Sequence, residues 1–274
     1  MKTADCIKFL GTAGARFVVL KQVRSSAGTF LSINGRGIIL DPGPGTLVRC
    51  AASRPKIEGK DIDAIVLSHN HIDHSTDVNV MIELMADGGF TKRGALFATQ
   101  EALSGEDPVV LKYVRQFVER IEILKADTEY AVGELRFRTQ GRHRHPTETY
   151  GFTFSSQEGP VSFIVDTTFF PKLCEWYAGS AVLVLNMVRM TPHPNEKVMH
   201  LCYEDARTLI SSIRPRLAVI THVGMTVIKA KPWEVARTLS DETGVQVLAA
   251  SDGKTVELGE RETDGQQADL FAER

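Results

Sequence analysis

Ser68-His69-Asn70-His71-Ile72-Asp73-His74 places four metal-ligating side chains within six consecutive positions. It directly follows Ala64 to Leu67, a short apolar run suited to a buried strand. A loop at a strand end can turn all four side chains toward one point. On a helix His69 and His71, two positions apart, would face different directions. Imidazole and carboxylate are the common ligands of zinc and related divalent ions. The plainer reading is a polar surface loop, and the density of ligand types in this heptapeptide argues against it.

Outward from this segment, strands and helices alternate. Ile7 to Leu10 reads as a strand ending at Gly11. Thr29 to Ile33 and Gly37 to Leu40 flank Asn34-Gly35, a hairpin signal because both residues tolerate positive φ. Asp77 to Met85 and Pro108 to Val118 read as helices. Leu135 to Arg138, Tyr150 to Phe154 and Val161 to Val165 read as strands. Val182 to Leu185, Leu217 to Ile220 and Val245 to Ala249 read as buried strands, separated by helical Tyr203 to Ile213 and Trp233 to Leu239. Many strands early and mixed units later point to two packed sheets with helices outside.

The 274 residues are 43% hydrophobic and 24% charged, which excludes a disordered, collagen-like or coiled-coil chain. The net charge of -2 speaks against a strongly basic nucleic-acid scaffold. No apolar stretch approaches the roughly 20 residues that span a bilayer, and the N-terminus lacks the pattern of a secretory signal. Cys6, Cys50, Cys174 and Cys202 stand apart from one another, as reduced thiols would. The expectation is a cytoplasmic protein without membrane association. One domain is expected over residues 1–258, followed by a polar tail at 259–274.

The pattern HxHxDH at 69–74 resembles the signature of the metallo-β-lactamase superfamily, and the resemblance runs along nearly the whole chain. It implies an α/β fold, a four-layer αββα sandwich of two mixed sheets with outer helices, and a binuclear metal site at one edge. Asp41, in Leu40-Asp41-Pro42-Gly43-Pro44-Gly45, resembles the first motif, an Asp that positions the metal loop without ligating. For the third motif His143 and His145 both compete. In the ribonuclease Z branch the ligand precedes a Gly-aromatic pair by six residues, and counting back from Gly151 selects His145, with His143 the lesser alternative. Asp166, after Phe163-Ile164-Val165, resembles the bridging Asp, and His222, after Leu217 to Ile220, the last ligand. The resemblance therefore implies His69, His71 and His145 on one divalent ion. Asp73, His74 and His222 would hold a second, with Asp166 shared. Zinc is the expected ion at both positions, with manganese or iron as alternatives. Two cations would lower the pKa of a bridging water, so that hydroxide is the nucleophile and no protein nucleophile is needed. The chain has no GxSxG motif.

Met199-His200-Leu201-Cys202-Tyr203-Glu204-Asp205-Ala206 resembles the ribonuclease Z and cyclic phosphodiesterase branch, where a His at the head of a helix protonates the leaving oxygen. His200 takes that role here; the bland alternative is a His that merely caps the helix. Ile7 to Thr12, Arg24 to Thr29 and Ala250 to Gly253 also resemble this branch, and Asp252-Gly253 reads as a turn rather than a site. Two departures bear on the substrate. His145 and Asp166 are too close in sequence for an inserted tRNA-gripping arm. Pro44 stands where the branch has an acidic residue. The expected partner is a small or cyclic phosphodiester rather than tRNA. Homodimers are common in the branch, and no interface is read from the sequence. Arg142 and Arg144 flank the ligand loop, but alternation in an extended segment turns both away from His145. Arg189 to Pro194, with His193, reads as a plain loop, and Cys174 and Trp176 as helix residues facing the core. Two alternatives stay open. One is a thioester, lactone or lactam hydrolase of this fold. The other is an iron oxidoreductase or a non-catalytic metal-binding accessory protein.

Overall fold

The computed structural model describes residues 5–14, 16–26 and 28–259. Residues 260–274, nearly all of the expected polar tail, lie outside the described residues. The first sheet contains β1 (Cys6–Phe9), β2 (Thr29–Ile33), β3 (Arg36–Leu40), β4 (Ala64–Leu67), β5 (Ala95–Ala98) and β6 (Arg120–Ile123). The second contains β7 (Glu129–Val132), β8 (Leu135–Thr139), β9 (Phe152–Phe154), β10 (Val161–Ile164), β11 (Val182–Arg189), β12 (Leu201–Cys202), β13 (Leu217–Thr221) and β14 (Gln246–Ala249). A last strand, β15 (Thr255–Glu257), returns to the first sheet, whose order is β15-β1-β2-β3-β4-β5-β6. The second runs β14-β13-β11-β10-β9-β8-β7, with β12 beside β11.

Both sheets are mixed. In the first, β2 pairs antiparallel with β1 and β3, while β3, β4, β5 and β6 pair in parallel. In the second, β7 to β10 pair antiparallel, while β10, β11, β13 and β14 pair in parallel. Away from the exposed edge strand β6, the parallel halves are largely buried on both faces, which is why β4, β5, β10 and β13 read as apolar runs. In β4, Ala64 and Val66 join the core between the sheets, while Ile65 and Leu67 face an outer apolar layer under helices. In β13, Leu217 and Val219 face the inter-sheet core, and Ala218 and Ile220 pack under the helices Tyr203–Ile213 and Pro232–Thr243. Three apolar layers separate four layers of secondary structure, the αββα sandwich that the resemblance implies.

The inter-sheet core is rich in aromatic rings. Phe137 packs edge-on against Phe97 at 5.0 Å and stacks on Phe154 at 5.1 Å. A fully buried ring of this kind stabilises the fold by about 1.5–3 kcal/mol. This layer is a rigid floor for the loops above it. Those loops leave the C-terminal ends of parallel strands, where ligands of open α/β sheets are bound. Asp41 follows β3, Ser68 to His74 follow β4, Asp166 follows the end of β10, and His222 follows β13. An isolated parallel bridge between Ala13 and Val223 ties the loop after β1 to the loop after β13 at this edge.

One expected helix is absent. Over 108–118 only a 3-10 turn forms, Val114–Phe117. Its neighbours spend their backbone groups on side chains instead of on helical bonds. Asn79 donates to Val109 O and accepts from Leu111 N, and Arg115 donates to Val110 O. The strands β5, β6 and β7, which the sequence reading did not assign, complete the two sheets. No helix among the described residues is long and apolar enough to cross a membrane.

Candidate metal centre

Asp41 organises the centre from below. Its backbone is left-handed, with φ 49°, a conformation that Asp tolerates better than most residues. Its Oδ1 accepts from Ser68 N at 2.7 Å. Its Oδ2 accepts from Ser68 Oγ at 2.7 Å and from His74 Nδ1 at 3.0 Å. Ser68 Oγ thus gives its proton to Asp41 and accepts from His69 Nδ1 at 2.9 Å. His145 Nδ1 donates to Met199 O at 3.2 Å. Each of these bonds fixes a tautomer. His69 and His145 are left with a lone pair on Nε2, the state of a neutral imidazole ligand, and His74 reaches that state once its Nε2 proton leaves.

The freed nitrogens converge. His71 Nδ1 lies 3.2 Å from His69 Nε2 and 3.0 Å from His145 Nε2. One proton on His71 Nδ1 can serve only one of those two acceptors, whereas a cation satisfies all three nitrogens. On the other side, His222 Nε2 is 3.4 Å and His74 Nε2 3.7 Å from Asp73 Oδ2. Asp166 Oδ2 stands between the sets, 3.5 Å from His74 Nε2 and 4.0 Å from His145 Nε2. The ligand atoms of His69, His71, His145 and Asp166 lie within 4.8 Å of one another, as do those of Asp73, His74 and His222. Asp41, His69 and His74 form a third such group. There Asp41 already accepts three hydrogen bonds, so its part is to orient.

Electrostatics point the same way. Burial alone would raise Asp166, yet His222, His200 and His74 outweigh it and hold the carboxyl well below its usual range. Asp73 is likewise held low against burial by His74 and His222. Burial alone would lower His74, but Asp73, Asp166 and Asp41 keep its imidazole well above the ordinary value. Burial lowers His69, His71 and His145. Asp41, Asp73 and Asp166 are gathered here with little exposure to water, and carboxylates desolvated together are costly without cations. His74 Nε2 and both ring nitrogens of His222 are buried without any hydrogen-bond partner. Bound divalent ions fit these residues: they would take the orphaned lone pairs and offset the charge.

His200 stands at the rim, with Nδ1 3.6 Å from Asp166 Oδ2 and its ring 5.5 Å from that of His145. The short strand β12 and the helix Tyr203–Ile213 follow it. Burial lowers its pKa and Asp166 opposes the shift. His143 takes a different path. It is buried, its Nε2 is 2.8 Å from Tyr177 Oη, and it does not join the cluster. Arg142 and Arg144 are exposed, the latter with its guanidinium over the Phe170 ring at 4.6 Å. His193 bonds Asn195 in the loop after β11. Cys174 and Trp176 pack against the outer core, as expected.

Asp252 does more than turn the chain. Its carboxylate accepts from Thr12 Oγ1 at 2.7 Å and from Ser25 N at 2.6 Å. Arg24 donates to Thr12 Oγ1 and Ala250 O, so this network joins three loops beneath the centre. The sequence reading also passed over Asn186, whose Nδ2 donates to Asp166 Oδ1 at 2.9 Å. The available signal was a lone amide inside the apolar run Val182 to Met187.

A model of the beta-lactamase superfamily domain matches residues 36–223. An uncharacterized protein of Methanocaldococcus jannaschii is 31% identical over 259 residues, covering 92% of this chain and 94% of that one. Ribonuclease Z of Methanopyrus kandleri is 28% identical over 148 residues, 53% of this chain and 48% of the enzyme. The solved structure of a diphosphatase from the PhnP family superposes with a TM-score of 0.69 at 20% identity, over 94% of this chain and 98% of that one. With the αββα sandwich and the HxHxDH loop at its edge, the chain belongs to the beta-lactamase superfamily and has the metallo-β-lactamase fold, near the ribonuclease Z branch.

Proposed function

We propose that this hydrolase is a binuclear metal-dependent phosphodiesterase acting on a small or cyclic phosphodiester. The observation that carries the reading is the position of His200, at the rim of two ligand sets that meet at Asp166 Oδ2. His69, His71 and His145 would hold one ion, Asp73, His74 and His222 the other, with Asp166 facing both. The imidazole-rich donor set suits zinc. Divalent ions so held would acidify water and polarise a phosphoryl oxygen. Asp41, Ser68 and Met199 keep the ligand tautomers fixed. His200 gives its proton to the departing oxygen as the P–O bond breaks. Its lowered pKa makes the protonated form scarcer at neutral pH and a stronger acid.

A relative named ribonuclease Z and a structural neighbour named diphosphatase support a phosphorus centre over a carbonyl centre. The short span from His145 to Asp166 is taken up by β9, β10 and the loops beside them, which supports a substrate smaller than tRNA. The test is a rate panel on the metal-loaded chain, comparing chromogenic phosphodiester, phosphomonoester, thioester, lactone and lactam substrates. The phosphodiester is expected to turn over fastest. Preference for any carbonyl substrate would replace this reading with the thioester, lactone or lactam hydrolase.

A further inference from the structure

Asn186 continues the row Val182, Val184 on β11, a strand whose alternate side chains enter the inter-sheet core. An amide at the rim of that apolar layer is unfavourable unless its polar atoms are bonded. The parallel register aligns Leu185 with Ile164 of β10 and Asn186 with Thr221 of β13. Asn186 therefore stands level with the strand ends from which Asp166 and His222 emerge. Its Nδ2 lies 2.9 Å from Asp166 Oδ1. A carboxylate only accepts, so the amide must present its N–H to that oxygen.

The two oxygens of Asp166 have different surroundings. Oδ1 takes the Asn186 amide and lies 3.5 Å from His222 Nδ1. Oδ2 faces His74 at 3.5 Å, His200 at 3.6 Å and His145 at 4.0 Å. Asp166 is buried, so water does not compete for Oδ1 and the amide determines which oxygen turns inward.

We infer that Asn186 is a positioning residue for the metal centre: it holds Asp166 Oδ1, so that Oδ2 is the single oxygen offered to both ligand sets. This rests on reading the cluster as a metal centre. Without the amide the carboxylate can rotate and divide its oxygens between the two sets, so that neither set keeps the oxygen it now faces. A partner that orients a ligand in this way changes metal affinity by about 10–100-fold when removed.

The test compares the wild-type chain with Asn186→Leu, which keeps the branched side-chain shape but has no amide, and Asn186→Ala, which does not depend on Leu fitting. Val184→Ala, one step down the same row, is the packing control. Each metal-stripped chain is titrated with Co(II) and followed by visible absorption, and its thermal midpoint is measured before metal is added. Both Asn186 variants are expected to bind Co(II) about tenfold more weakly and to show an altered Co(II) spectrum. Val184→Ala is expected to lower the thermal midpoint with Co(II) affinity unchanged. Wild-type affinity and spectrum in a folded Asn186 variant would overturn the assignment, as would an equal loss of affinity in Val184→Ala. A wild-type chain that binds no Co(II) would instead sink the metal-centre reading itself.

Discussion

His145 Nε2 lies 3.0 Å from His71 Nδ1, although 74 positions separate the two residues in sequence. The first sheet supplies His71 and the second His145, so the contact closes the edge of the sandwich. Between residues 142 and 145 buried and exposed side chains alternate, which leaves His143 and His145 both buried but on different errands.

His145→Ala and His143→Ala should therefore separate cleanly. The first removes one of three converging nitrogens, and metal bound per chain should fall while the fold persists. The second leaves the ligand set whole but strips Tyr177 Oη of its partner in a buried place. That costs about 1–3 kcal/mol of stability. Metal analysis and thermal melts on both variants check the pair, and equal metal loss in both would contradict the assignment.

Asp41→Ala removes the acceptor for Ser68 N, Ser68 Oγ and His74 Nδ1 at once. His69 and His74 then lose the bonds that fix their tautomers. Metal affinity should drop about 10–100-fold, as for other orienting carboxylates. Competition against a chelator measures it, and an affinity equal to wild type would mean that Asp41 does not orient the ligands.

These residues differ in how far sequence alone reveals them. The HxHxDH loop is legible because its four candidate ligands fall within six positions and sit beside an apolar strand. His145 and His222 are reached only through the family resemblance, which supplies the spacing to Gly151 and the meaning of a strand-end His. Asn186 is not, because its partner lies 20 positions away across parallel strands, and nothing local marks the pairing. The Asp252 network escapes for the same reason, since it joins loops from both ends of the chain. The missed strands β5, β6 and β7 are short, and tertiary packing decides them. The expected helix over 108–118 fails because Asn79 and Arg115 take its backbone groups, a competition that periodicity does not register.

Two glycines are held by close approach of another backbone. A Cβ at Gly43 would lie 2.0 Å from Asp73 O, and one at Gly14 would lie 1.9 Å from His222 O. Gly43→Ala and Gly14→Ala must therefore move the segments that carry Asp73 and His222. Each should cost about 1–3 kcal/mol, as overpacking does. Each should also weaken metal binding, whereas Gly179→Ala, with open space around its Cβ, should leave metal binding as it is. Melting midpoints with paired metal titrations decide this.

Metal loading should release protons. In the metal-free chain the neighbouring carboxylates hold His74 well above the ordinary imidazole value, so it is protonated at neutral pH. His69, His71 and His145 are lowered and already neutral there. A ligating imidazole must be neutral, so binding expels the His74 proton. Affinity should then rise by about tenfold per pH unit above neutrality and flatten once pH passes the raised His74 value. Calorimetry in buffers of different ionisation enthalpy reports the release, and a pH-independent affinity would contradict it.

His200→Ala should leave the metals in place and slow turnover. His200 faces the centre with its Nδ1 3.6 Å from Asp166 Oδ2 and its ring 5.5 Å from that of His145, and that Nδ1 has no hydrogen-bond partner. Loss of a general acid costs about 10²–10⁴-fold in rate. The cost depends on the leaving group, because a weakly basic oxygen departs without a proton. The variant should lose most rate on an alkyl phosphodiester and little on a nitrophenyl one. An equal loss on both substrates would mean that His200 positions the substrate rather than supplying the proton. Loss of bound metal would recast His200 as a ligand or as part of the scaffold.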